Sequence, residues 1–168
     1  ARERFGFEVE HAGLDARFIG TRRQRVRITV HRQNLRAARG REAIAFECDA
    51  SRLAMSAANA DQLGTPRLRI VPGEAPASYA DMPAPDAVFI GGGIAIPGTF
   101  EQAWAQLKPG GRMVANVVSI EGEMHLYDLH ERHGGELVRM DISVLHRIGP
   151  LRSLKPRMGV TQWRAVKP

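Results

Sequence analysis

With 168 residues, 43% of them hydrophobic, the chain is long enough for one domain with a full core, and a second domain is not expected. It holds no run near the ~18 apolar residues of a membrane helix, its amino end lacks the apolar core of a signal peptide, and Cys48 has no second cysteine to bridge; a cytoplasmic protein that does not contact membranes is expected. The net charge of +6 sits in the first quarter, where residues 1–42 hold 11 arginines against 5 acids, yet no aromatic side chain for base stacking lies between Thr21 and Arg41, so nucleic acid is not an expected partner.

Residues 1–41 form an atypical Arg-rich segment with weak patterning, expected to be poorly ordered. Arg25–Val30 alternates as an edge strand would, and Asn34–Arg39 could open a helix, but neither has convincing caps. From Glu42 to Pro168 strand and helix patterns alternate. Ala43–Phe46 predicts a strand closing on Glu47. Asp49 to Ser51 offers a cap for a helix with Leu53, Met55, Ala58 and Leu63 as apolar positions, stopped at Gly64. Leu68–Val71 predicts the next strand, followed by Gly73, Glu74 and Ala75 and a loop or short helix to Pro85. Asp86–Ile90 carries four uninterrupted apolar residues, Ala87–Ile90, and runs into Gly91, Gly92 and Gly93, which predicts a central strand buried on both faces.

Pro97 suits the first turn of a helix through Phe100, Trp104 and Leu107, ended by Pro109, Gly110 and Gly111. Arg112–Val118 predicts a strand. Ile120–His133 predicts an amphipathic helix with Met124, Leu126, Tyr127 and Leu129 as its apolar positions, terminated at Gly134. Glu136–Leu145 and Thr161–Val166 predict two last strands joined by a basic loop, and hence an antiparallel pair. The order implies an α/β fold: a Rossmann-like, mostly parallel sheet with a final antiparallel strand pair.

Ligands bind at the carboxyl ends of parallel strands in such sheets. Three of these ends carry suitable groups. Glu47 offers a carboxylate for ribose hydroxyls, Gly73, Glu74 and Ala75 offer backbone amides beside a purine, and Gly91 and Gly92 leave room for close approach. Each also has a bland reading, as a helix-flanking acid or a plain turn. His125, His130 and His133 are spaced by five and three, so the first two do not form the i, i+4 pair of a helical metal site, and no metal is expected.

Asp86–Gly93, Lys108–Asn116, Ser119–Glu123, Arg132–Gly135 and Thr161–Trp163 together resemble the methyltransferase domain of the precorrin-6Y methyltransferase (decarboxylating) family of cobalamin biosynthesis, colinearly over residues 41–168. The resemblance implies a class I fold using S-adenosylmethionine, and a precorrin tetrapyrrole as the partner, methylated at C-15 with loss of the C-12 acetate carboxylate. It makes Glu47 the ribose acceptor, Gly73, Glu74 and Ala75 the adenine-side loop, Gly91 and Gly92 the wall beside the methionine moiety, and Asn116 the catalytic-site residue at the mouth of the substrate cleft. Arg147, Arg152, Lys155 and Arg157 become candidates for binding the substrate carboxylates. A homo-oligomer is expected.

One departure stands out. The family's glycine-rich loop after its first strand corresponds to Thr21–Arg27, which contains no glycine, and arginines there would oppose a sulfonium cation. Two readings follow. The chain is a catalytically silent relative serving as a structural or interaction domain, or the gene carries a shifted reading frame, in which codons for Arg22–Ile28 read as Val-Gly-Ser-Gly-Ser-Gly-Ser.

Overall fold

The computed structural model describes residues 42–65, 67–79 and 82–168. The expected edge strand at Arg25–Val30, the helix at Asn34–Arg39 and the glycine-free stretch Thr21–Arg27 lie outside the described residues. The chain divides into two units, one ending at Ser78 and one spanning Tyr79–Pro168.

In the first unit, β1 (Ala43–Glu47) and β2 (Leu68–Pro72) pair in parallel, with Glu47 level with Pro72. Between them runs α1 (Ala50–Gln62). Asp49 caps it by accepting the Arg52 amide at 2.9 Å. The Ser51 hydroxyl and that amide hold the Asp49 carboxyl below its ordinary range. The apolar face expected for this helix is only partly realised: Leu53 and Met55 are half-buried, whereas Ala58 and Leu63 are exposed and Ser56 is buried.

The second unit contains β3 (Ala87–Ile90), α2 (Thr99–Gln106), β4 (Arg112–Val117), α3 (Ile120–His133), β5 (Glu136–Met140), β6 (Ser143–Ile148), β7 (Leu151–Pro156) and β8 (Val160–Val166). Four strands form one sheet in the order β3-β4-β8-β5. The β3–β4 pair is parallel, and β8 lies antiparallel between β4 and β5, so the expected antiparallel pairing of the last strand is present and extends to β4. Three expectations need correction. Among the described residues of this unit β3 pairs with β4 alone, and of its four residues only Ile90 is buried. The segment Glu136–Leu145 is two strands, interrupted at Asp141 and Ile142, and the basic loop after it is the β6–β7 hairpin, paired from Ser143↔Pro156 to Ile148↔Leu151. Helix α2 starts at Thr99 with Gly98 as its cap, one turn position later than Pro97 suggested, because Gly98 adopts a left-handed conformation.

The core forms where α2 and α3 cover this sheet. Ile94, Leu107, Met113, Leu126, Leu129 and Trp163 are fully buried. Of the four apolar positions expected to point inward from α3, Leu126 and Leu129 do; Met124 and Tyr127 face solvent. Ser119 caps α3 by accepting the Gly122 amide at 3.2 Å, and the missing Cβ at Gly122 lets the helix close against Val117. At the opposite end Gly135 runs with φ +93°, and a Cβ there would collide with the Arg164 carbonyl, so only glycine makes the turn into β5. The Lys167 ammonium donates to the Trp104, Ala105 and Leu107 carbonyls at 2.7–2.9 Å, closing the carboxyl end of α2. Among the described residues no helix is long and apolar enough to cross a membrane.

His133 packs its ring 5.1 Å from Phe100 and 4.9 Å from Trp104. Its Nε2 is buried without a hydrogen-bond partner. Burial, followed by the neighbouring Arg132 cation, pushes its pKa below the ordinary value, against a smaller opposing pull from Asp128. The folded state therefore favours the neutral ring. Stability from this residue is fully present above the unfolded pKa near 6.5 and declines as pH falls from there toward the lower folded value. In urea titrations between pH 7.5 and 5, His133→Phe should show a shallower loss of stability than the parent chain; parallel curves would reject the assignment.

Candidate functional site

In the first unit the end of β1 places a carboxylate with one oxygen committed. Glu47 Oε1 accepts the Cys48 and Asp49 amides at 3.0 Å each and pairs with the Arg52 guanidinium at 3.1 Å. Oε2 has no partner among the described residues, and the side chain is only 20% exposed. Anchoring through one oxygen fixes the rotamer and leaves the other to accept a ligand hydroxyl. The Gly73 amide donates to the Glu47 carbonyl at 3.1 Å, which ties the ends of β1 and β2 together. That corrects the expectation that this amide is available to a ligand. The amides of Glu74 and Ala75 donate to no group among the described residues, while the Glu74 carbonyl accepts from the Ser78 hydroxyl and amide. A Cβ on Gly73 would collide with that hydroxyl. The loop is thus held from one side and keeps two donors free.

In the second unit Gly91 and Gly92 follow β3 and are both exposed. Among the described residues nothing lies within 4 Å of where a Cβ on Gly92 would stand, so that side of it is open to them. Ile90 is level with Ala115 in the parallel register, which brings Asn116 to the level of Gly91. Asn116 is half-buried, and its Oδ1 accepts from Gln162 Nε2 at 2.8 Å across the β4–β8 ladder. Its own amide group keeps both donor hydrogens. Gln162 stands in the Thr161–Trp163 motif but had no role in the sequence, because the pairing joins residues 46 positions apart.

A polar cluster adjoins this pair. The fully buried Thr161 hydroxyl donates to Glu123 Oε1 at 2.8 Å, and Arg139 reaches the same oxygen at 2.5 Å and Asp141 at 3.3 Å. The Glu123 carboxylate first, then Asp141, raises the Arg139 pKa further. The cluster joins α3, β5 and β8, and sequence reading gave it no role, since spacings of 16, 22 and 38 carry no local pattern.

The register sets where all of this lies. The carboxyl ends of β3 and β4, the start of β8 and the end of β5 share one edge of the sheet. The β6–β7 hairpin leaves and returns at that edge, between Met140 and Val160. On it Arg147 stands directly opposite Arg152. Arg147, Arg152, Lys155 and Arg157 are all exposed, and none forms an ion pair among the described residues. The substrate-binding candidates thus belong to the edge that carries Gly91 and Asn116, while Glu47, Gly73, Glu74 and Ala75 lie together in the first unit.

Comparison with known proteins gives the chain its family. The precorrin methyltransferase domain profile matches residues 28–167. The chain is 47% identical over 126 residues to the precorrin-6Y C(5,15)-methyltransferase [decarboxylating] of Sinorhizobium sp, covering 75% of this chain and 30% of that protein. It spans about a third of the length of the curated relatives it matches. The crystal structure of the C-terminal domain of the Rhodobacter capsulatus precorrin-6Y C5,15-methyltransferase superposes with a TM-score of 0.74 at 39% identity, over 83% of this chain and 74% of that one. A SAM-dependent O-methyltransferase from Thermotoga maritima shares the fold alone, with a TM-score of 0.56 at 18% identity over 76% of this chain and 50% of that one. Nothing in these likenesses supports a silent structural domain. By profile and by identity the chain belongs to the precorrin methyltransferase domain family, with the α/β fold of the class I S-adenosylmethionine-dependent methyltransferases.

Proposed function

We propose that the chain is an S-adenosylmethionine-dependent C-methyltransferase acting on a precorrin in the cytoplasm, methylating C-15 and promoting loss of the C-12 acetate carboxylate. The observation that carries this reading is the shared sheet edge: open glycine, a half-buried amide with free donors, and a cation-bearing hairpin all lie along it. The family relationship supports the same reading.

The residues present fit the cofactor. In the first unit Glu47 Oε2 would accept from a ribose hydroxyl and the Glu74 and Ala75 amides would face an adenine; in the second, the open space beside Gly92 would leave room for a methionine chain. When bound, S-adenosylmethionine supplies a methyl group on a positively charged sulfur. The chain's own work is alignment, since transfer to carbon depends on holding donor and acceptor in line more than on a strong base. Asn116, fixed by Gln162, donates toward the substrate and sets its orientation. The hairpin takes the peripheral carboxylates. Arg147 and Arg152 face each other as like charges, an arrangement that costs stability until an anion lies between them. Leu145 and Leu154 are paired on the same face and suit the apolar plane of a macrocycle.

Three measurements test the reading. Glu47→Gln keeps an oxygen for the Cys48 and Asp49 amides and replaces the free one with a donor; calorimetric affinity for S-adenosylmethionine should fall by about 1.5–3 kcal/mol, and an unchanged constant would remove Glu47 from the site. At Gly92 an added Cβ has no atom of the described residues within 4 Å, so Gly92→Val should keep the circular dichroism and melting of the parent while losing cofactor binding; normal methylation by this variant would put the site elsewhere. The double variant Arg147→Ala, Arg152→Ala should raise the precorrin KM by roughly tenfold with a smaller effect on kcat, and an unaltered KM would dissociate the hairpin from the substrate.

A further inference from the structure

The hairpin is fixed at its feet. Over residues 143–156 every side chain except the half-buried Val144 is exposed, and a two-stranded ribbon with so little packing against its own unit has nothing along its length to fix its direction. That direction is set where the chain leaves β5 and where it re-enters β8. Just outside the hairpin the Arg157 amide donates to the Ile142 carbonyl at 2.8 Å. One step further back Arg139 Nε donates to Asp141 at 3.3 Å, and the missing Cβ at Gly159 leaves room for this pair against the returning chain.

Both feet then meet on one atom. Glu123 Oε1, in the first turn of α3, accepts from the Thr161 hydroxyl at 2.8 Å and from Arg139 Nη1 at 2.5 Å. Arg139 and Thr161 stand directly opposite each other in the β5–β8 ladder, so a single carboxylate oxygen holds the strand that leads into the hairpin and the strand that leads out. Helix α3 is itself anchored in the core through Leu126 and Leu129. The Thr161 hydroxyl is buried and the Glu123 side chain only 20% exposed, which shields their bond from competing water, and the charge on the acceptor strengthens both contacts. Residues 119–123 and 161–163, two of the stretches that carry the family resemblance, come together here. Gln162, which fixes Asn116, is the next residue after Thr161, so the amide and the hairpin cations share one reference point.

We propose that Glu123 is a positioning residue for the substrate: acting through Arg139 and Thr161, it fixes the angle at which the hairpin leaves the sheet edge, and with it the placement of Arg147 and Arg152 relative to Asn116. The positioning role rests on the substrate reading of the hairpin; the clamp itself does not. Two sets of measurements on the full chain separate them. For the clamp, nitroxides at Ser153→Cys and Glu131→Cys, both exposed sites, in a Cys48→Ser background diluted with unlabelled chain, should give a narrow distance distribution by pulsed electron spin resonance. Glu123→Ala and, separately, Arg139→Ala, which leaves the Thr161–Glu123 bond in place, should each broaden it with unchanged circular dichroism. For the positioning role, Glu123→Ala in the unlabelled chain should raise the precorrin KM by about fivefold with a smaller effect on kcat. In the Arg147→Ala, Arg152→Ala background it should add no further rise, because a misdirected hairpin without its cations has nothing left to misplace. A distance distribution that both alanine variants leave unchanged would overturn the clamp, and a KM rise that simply adds to that of the arginine variant would overturn the positioning role. An unaltered KM in the arginine variant by itself would sink the substrate reading and the positioning role with it, while the distances still report the clamp.

Discussion

The insertion of β8 between β4 and β5 is the constraint on which the second unit depends. Trp163, at the middle of that strand, is fully buried, lies opposite Ala115 on one side and Leu137 on the other, and donates from Nε1 to the Gly134 carbonyl at 2.9 Å. Its ring packs with Phe100 and Trp104 at 5.9 and 6.1 Å. One side chain therefore joins both covering helices and three strands, and truncating a buried residue of this size typically costs ~3–5 kcal/mol. Ala115 is small because the indole needs the room. Because β8 runs antiparallel, the chain must leave the sheet after β5 and return at the edge where β3 and β4 end, and the hairpin is that excursion.

Placement at this edge has chemical consequences. Catalytic and binding groups in open α/β sheets gather there because the strand ends leave backbone groups unpaired and helices begin nearby. Here the groups are held by one of their polar atoms and left free at another. In the second unit Asn116 is fixed through Oδ1; in the first, Glu47 is fixed in the same way through Oε1. Such half-committed groups lose little freedom when a ligand binds, which is the physical content of preorganisation. Thr161, Glu123 and Arg139 tie the start of β8 and the end of β5 to α3 with charge-assisted hydrogen bonds.

The hairpin faces opposite demands. It carries two directly opposed arginines and four aliphatic side chains that the unit itself does not bury. A structure selected for its own stability would not place them so.

Much of this was legible in the residues. The helix Ile120–His133 follows from its apolar spacing and closing glycines, and the strands at Ala43, Leu68, Ala87 and Arg112 follow from short apolar runs, because periodicity and helix stops are local and act through a few neighbouring residues. Glu47 and Gly92 were identifiable as residues at strand ends for the same reason, whereas Asn116 was marked only by the family resemblance. Tertiary structure alone decided that Met124 and Tyr127 point outward, that the basic stretch after Met140 is a hairpin, and that Gln162 fixes Asn116. Each of these depends on which strand lies beside which. Pairing is set by the burial of side chains as distant in sequence as Ala115 and Trp163, and no local pattern records it.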